Sequence, residues 1–206
     1  MKLANKHFFP IPNARVCSEF YNNYNGAYVQ NYMENSKVFI EDVIVNNNPY
    51  QGMTLIGTGI TVENAKIKNN GFGLLIVADS DFTDIANEIT LDGDIFITGN
   101  TFAGLDGGSG QGTVYFTGNV NSIRNEVGLF FSRSGGADYT FKVESSGSLT
   151  ACDNWKADIV NLGDSTFEGS GYTCTKNFNK TVIGLVGGEL PKCEPCHPGC
   201  ASATGK

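Results

Sequence analysis

VFIEDVIVNNN, Val38 to Asn48, is followed by ITVENAKIKNN, Ile60 to Asn70. Val38, Ile40, Val43 and Val45 recur as Ile60, Val62, Ala65 and Ile67, each step being 22 residues. Both copies close on asparagines and lead into a glycine-led apolar segment, Gly52-Met53-Thr54-Leu55-Ile56 and then Gly73-Leu74-Leu75-Ile76-Val77. Short β-branched runs at a fixed period in the twenties, parted by Asn/Gly turns, specify a stacked solenoid. Alternation points the repeated residues inward and leaves Glu41, Thr61 and Glu63 toward solvent. The turn asparagines are placed to stack and exchange amide hydrogen bonds between coils. Asn and Gly also tolerate the left-handed backbone of sharp corners.

Outward from this pair the pattern loosens. Its next copy reads as Ile95, Ile97 and Phe102, with Asn100 in the place of Ala65, a step of 35 residues from Ile60 to Ile95. Residues 79–93 therefore hold an insertion or part of an extra coil. Gly112-Thr113-Val114-Tyr115-Phe116 reads as a further glycine-led strand, preceded by a flexible loop over 105–112, LDGGSGQG. Strand character persists over 120–148 without the exact register. The 22-residue step then returns between Cys152 and Cys174 and between Val160 and Val182.

Three divisions follow. Residues 1–36 form an N-terminal cap or irregular first coil; Pro10 and Pro12 break it, and Gly26 interrupts the helical reading of Tyr21, Tyr24, Tyr28 and Tyr32. Residues 37–187 form the solenoid. Residues 188–206, GELPKCEPCHPGCASATGK, lack a strand pattern and read as a Cys-rich tail or the start of a further module.

Composition narrows the function classes. A net charge of −7 and only three arginines, Arg15, Arg124 and Arg133, disfavour nucleic acid, whose phosphates require basic patches. No apolar run approaches the ~20 residues of a membrane span. Charged residues are 17% of the chain while Gly reaches 26 and Asn 22, as expected of many short strands joined by uncharged polar turns. No signal peptide is visible in MKLANKHFFPIPNARV. Six cysteines and a sequon at Asn179-Lys180-Thr181 nevertheless point to an extracellular or cell-surface location. An incomplete N-terminus reconciles the two.

The pair VFIEDVIVNNN…GMTLIG and ITVENAKIKNN…GLLIVA resembles the right-handed parallel β-helix of the pectin-lyase-like proteins, over roughly residues 38–185. Left-handed β-helices repeat hexapeptides, which are absent here. The resemblance implies an all-β fold and leaves activity open, because the family holds polysaccharide lyases, hydrolases, epimerases and surface adhesins.

The catalytic features of that family do not map onto this chain. Its hydrolases carry clustered aspartates beside a Gly-His-Gly segment, whereas His7 and His197 lie outside the coils. Inverting hydrolysis needs an acid and a base ~6.5–9.5 Å apart. Asp79, Asp81 and Asp84, or Asp92 and Asp94, form such a pair only if the inserted segment folds back; otherwise they are exposed acidic turns. The lyases use Ca²⁺ with a basic residue of depressed pKa. Arg124, Arg133, Lys66 and Lys68 sit in no lyase motif. Asp79-Ser80-Asp81 and Asp92-Gly93-Asp94 each offer two oxygens to Ca²⁺, short of the six to eight it takes. Gly107 to Gly112 lacks both the aspartate of calcium-binding nonapeptides and the lysine of a phosphate loop.

The cysteines raise two alternatives. Cys152 and Cys174, one period apart, are placed to bridge adjacent coils, or to stand as a stack of buried thiols. Cys193, Cys196 and Cys200 form extracellular disulfides, or bind zinc with His197, although adjacent Cys196 and His197 reach one tetrahedral ion poorly. Cys17 is the odd partner. Trp155 and the tyrosines suit stacking on sugar rings if exposed, while Phe39, Phe96 and Phe116 are expected against the coils.

The expectation is a non-enzymatic extracellular or cell-surface module, structural, adhesive or glycan-recognising, with a polysaccharide or surface protein as partner. The alternative is a carbohydrate-active enzyme, a lyase or glycoside hydrolase, acting on acidic polysaccharide. A convergent Asp/Lys/Arg cluster on the exposed parallel faces separates the second from the first, which predicts scattered Thr, Asn and Ser.

Overall fold

A computed structural model of the chain describes residues 14–16, 18–33, 35–77, 86–109, 111–131, 141–162, 165–175, 177–178 and 190–196. These residues form an all-β parallel β-helix, with no helix among them. The first sheet comprises Ala14–Val16, Val38–Glu41, Ile60–Glu63, Asn87–Asp92, Gly112–Phe116, Phe141–Ser145 and Thr166–Gly169. The second runs through Glu19–Tyr21, Ile44–Asn46, Lys66–Lys68, Asp94–Thr98, Asn119–Ile123, Ser148–Cys152 and Tyr172–Cys174. The third is built from Asn25–Asn31, Gln51–Gly57, Phe72–Val77, Ala103–Ser109, Val127–Phe131, Ala157–Asn161 and Asn177–Phe178. The chain visits the sheets in turn, so each coil pairs only with its neighbours.

Alternation along every strand builds the core. Val38, Ile60, Ile89, Val114 and Val143 stand in register in the first sheet. Val45, Ile67 and Ile97 do so in the second, and Met53, Leu74, Leu105, Leu129 and Ile159 in the third. All belong to one buried cluster. Each coil covers the apolar row of the one before at the ~4.8 Å spacing of paired strands.

The expected repeat beyond residue 78 is corrected in two places. Ile97 is buried, but it lies in the second sheet over Ile67; the residues over Ile60 and Val62 are Ile89 and Leu91. Gly112–Phe116 belongs to the first sheet, paired with Asn87–Leu91, rather than repeating the glycine-led strand of the third. That place is taken by Ala103–Ser109, so much of the expected loop at 105–112 is strand.

Two corners recur in left-handed backbone. Between the first and second sheets, Asp42, Asn64 and Gly93 have φ of 54°, 54° and 60°. Between the second and third sheets, Asn22, Asn47, Asn69, Gly99, Arg124 and Asp153 have φ between 54° and 68°. A β-carbon at Gly93 would stand 2.3 Å from Asn64 Oδ1, so this corner needs glycine for space as well as conformation.

Beside the second of these corners runs a buried amide ladder. Asn48, Asn70, Asn100, Asn125 and Asn154 are each at most 1% exposed. Each of the first four donates its backbone N–H and its Nδ2 to Oδ1 of the next, at 2.8–3.3 Å. Stacked amides thereby satisfy the polar groups that a tight interior corner would otherwise strand.

The tail folds back. Glu194 donates its N–H to the Tyr172 carbonyl at 2.8 Å, and its own carbonyl accepts from Cys174 N–H at 3.0 Å. Residues 190–196 thus lie along the outer edge of the last second-sheet strand, with Leu190 and Cys193 packed on the core. A segment without strand pattern is held there by two bridges, Cys152–Cys196 and Cys174–Cys193, with Cα separations of 6.1 and 5.4 Å. The bridge expected between Cys152 and Cys174 is therefore corrected. Cys174 is in register with Ala151, so the two cysteines fall on opposite faces of the sheet. Cys17, Cys200 and His197 lie outside the described residues.

Candidate functional site

Three outward columns cover the first sheet. Phe39, Thr61, Thr90, Tyr115, Glu144 and Glu168 stack in register along one. Glu88, Thr113, Lys142 and Thr166 form the second, and Glu41, Glu63 and Asp92 the third. A shallow cleft of about 320 Å³ opens over Lys37, Phe39, Thr58, Thr61, Glu88 and Thr90, where Thr58 Oγ1 donates to Glu88 Oε2 at 3.0 Å. A smaller one, about 170 Å³, lies over Tyr115, Thr117, Glu144 and Glu168.

Beside the smaller cleft Lys142 reaches Glu144 at 2.8 Å and Glu168 at 3.0 Å. Hydrogen bonds to Glu144 and then Glu168 hold its ammonium well above the ordinary lysine range. A lyase base requires the opposite shift. Tyr172 donates to the Glu168 carbonyl at 2.6 Å, and burial, reinforced by Glu168 and Glu144, pushes its phenol up to about 12. Neither group is poised to abstract a proton near neutral pH.

The second sheet presents Ile44, Lys66, Phe96, Asn121, Thr150 and Thr173 in one outward column. Asp94 opens the strand Asp94–Thr98 of this sheet and belongs to a polar chain that runs across the strand starts. Its N–H donates to Asn64 Oδ1 at 3.0 Å, its Oδ1 accepts from Asn119 Nδ2 at 3.1 Å, and Ser148 Oγ donates on to Asn119 Oδ1 at 3.0 Å. Asp92 ends the first sheet in the column of Glu41 and Glu63. The Gly93 corner parts the two aspartates onto different sheets. Asp79, Asp81, Asp84 and Arg133 lie outside the described residues. Arg124 sits on an exposed corner. Among the described residues no group of three or more His, Cys, Asp or Glu is arranged to hold a metal ion.

One surface escaped the reading of the sequence. Tyr24, Tyr50, Phe72 and Phe102 run up the corner between the second and third sheets, one per coil. Tyr24 stacks on Tyr50 at 5.2 Å, Tyr50 meets Phe72 edge-on at 6.1 Å, and Phe72 stacks on Phe102 at 5.1 Å. Tyr24, Tyr50 and Phe102 are 69%, 41% and 51% exposed. Two coils beyond Phe102, on the same corner, Trp155 is 68% exposed. The signal was available: each ring from Tyr50 onward follows a ladder asparagine by one or two residues, as in Asn48-Pro49-Tyr50 and Asn154-Trp155. Of the phenylalanines expected against the coils, Phe116 is fully buried, Phe39 half-buried, and Phe96 stands 41% exposed because its strand turns it outward.

No protein-family model, curated protein or solved structure matches the chain at a significant level. The fold and the arrangement of its surface are the basis for a functional reading. No helix among the described residues is long and apolar enough to cross a membrane.

Proposed function

We propose that this chain is a non-enzymatic β-helix module of the cell exterior, a structural or adhesive element that recognises glycans. The observation that carries this reading is the make-up of the outward rows. Threonine hydroxyls, asparagine amides and exposed aromatic rings repeat from coil to coil, where a lyase or hydrolase would gather acids and bases at one point. Such rows suit a ligand that is itself a repeat. On the first sheet Lys142 is engaged by Glu144 and Glu168 and holds its proton between the two carboxylates.

An exterior location is supported by the two bridges that fasten residues 190–196, since disulfides persist in oxidising compartments. The test is incubation with pectate, alginate and neutral polysaccharides, with and without Ca²⁺, while retention and products are followed together. Retention without turnover is expected. Release of 4,5-unsaturated ends or new reducing ends, abolished by Asp94→Asn or Asp81→Asn, would instead make the protein a carbohydrate-active enzyme. Retention of an extracellular protein but of no glycan would make the module a protein adhesin.

A further inference from the structure

Resting on the glycan reading, we propose that the aromatic corner between the second and third sheets is the binding surface, and that its ligand is a neutral polysaccharide lying along the solenoid axis. Ring–ring stacking alone accounts for a ladder, but not for its exposure, because stacked rings gain equally when buried. A continuous exposed apolar stripe marks an interaction surface. Trp155 strengthens the case: it stacks on none of the described rings and, among the described large hydrophobic residues, is the most exposed after Tyr24.

The corner spans six coils from Tyr24 to Trp155, roughly 24 Å at about 4.8 Å per coil. Its partner must therefore be extended and repetitive. Pyranose units offer one apolar C–H face for a ring and hydroxyls for amides. Exposed Asn47 and Asn69, three residues before Tyr50 and Phe72 on the same corner, supply amide groups at successive coils, Asn69 while donating one Nδ2 hydrogen to Asn46. Charge selects among polysaccharides. Arg124 is matched by Asp153 along this corner, and Lys156 is ion-paired with Glu126. The charges along the row cancel except for Lys68, which precedes Asn69, whereas the first sheet carries the column Glu41, Glu63 and Asp92, and the chain as a whole is at −7. A polyanionic uronan is disfavoured and an uncharged glycan is not.

The single tryptophan makes a direct probe. Titration with a soluble mixed-linkage β-glucan and a galactomannan should shift Trp155 emission to the blue and protect it from acrylamide; polygalacturonate should do neither. Tyr50→Ala with Phe102→Ala should weaken binding about tenfold, as expected for the loss of two stacking contacts. Trp155→Ala, which disturbs no ring contact and is read by retention on the immobilised β-glucan because it removes the fluorophore, should weaken binding as well and guards against a double variant that misfolds. Binding that leaves Trp155 fully quenchable, or that is lost on Tyr115→Ala in the first sheet, would overturn the corner while leaving glycan recognition standing. No binding of any polysaccharide by the unaltered protein would overturn both. A blue shift with concentration alone would assign the corner to a second copy of the chain.

Discussion

Asn154 donates its Nδ2 to Asp158 Oδ1 at 3.0 Å, with its backbone N–H directed at the same oxygen at 3.4 Å. The amide ladder thus ends on a carboxylate. All four preceding rungs donate in the same direction, so the last asparagine needs an acceptor that no sixth asparagine supplies. Asp158, 1% exposed, provides it, and its Oδ2 accepts from Thr175 N–H at 2.9 Å. Asp158→Ala should cost about 1–3 kcal/mol, since it removes the carboxylate that accepts from the buried Asn154 N–H and Nδ2 and from Thr175 N–H. Asp158→Asn keeps one acceptor and should cost less. Urea midpoints order the two; equal values would show that the ladder does not depend on its terminal acceptor.

The core should respond by coil rather than by distance along the chain. Leu91 and Val62 are paired in register and fully buried. Leu91→Ala is expected to cost about 2–5 kcal/mol through a cavity the neighbouring coils cannot close, and Val62→Ala about 1–3 kcal/mol. Because the two touch, the double variant should deviate from additivity. Strict additivity in denaturant unfolding would contradict the register.

Peptide mapping without reduction should recover Cys152 joined to Cys196 and Cys174 joined to Cys193. By the loop-closure argument, separations of 44 and 19 residues correspond to about 4 and about 3 kcal/mol. Reduction should therefore lower the melting temperature and free the 190–196 segment first, because what otherwise holds it is a few hydrogen bonds to Tyr172, Cys174 and Thr175 and the packing of Leu190 and Cys193. A linked Cys152–Cys174 peptide would refute this arrangement.

Alkaline pH should loosen the last coils. Tyr172 titrates near 12 in the folded chain against about 10 unfolded, so its contribution is whole below pH 10 and is lost as pH rises toward 12. Lys142, also raised, loses its contribution in the same direction from its unfolded value upward. Tyrosinate absorbance near 295 nm should show one late-titrating phenol that Tyr172→Phe removes. If the full set ionises together near pH 10 with the fold intact, the burial of Tyr172 is wrong.

The solenoid was legible where coils are equal in length. The step from Val38 to Ile60 is 22 residues, and inward residues, corner asparagines and glycine-led strand all repeat together there. From Ile60 to Ile89 the step is 29, then 25 to Val114 and 29 to Val143. A corner absorbs extra residues without disturbing strand pairing, so the period blurs while the register holds. For that reason Ile97 was matched to Val62 when it stands over Ile67. The cysteines went the same way: a step of 23 from Ala151 to Cys174 turns the expected bridge inside out.

Alternating apolar residues and the Asn/Gly corners were sufficient by themselves to determine a parallel β-helix and the start of its amide ladder at Asn48 and Asn70, because both follow from contacts between neighbours one coil apart; Asn100, read in the place of Ala65, instead continues the ladder over Asn70. Which face each residue joins after residue 78 was decided by tertiary structure alone. So was the tail's return to the last coil. These depend on how many residues each corner absorbs and on bridges that close over long loops. Neither leaves a local pattern, since a corner residue is free of the alternation that burial imposes on a strand.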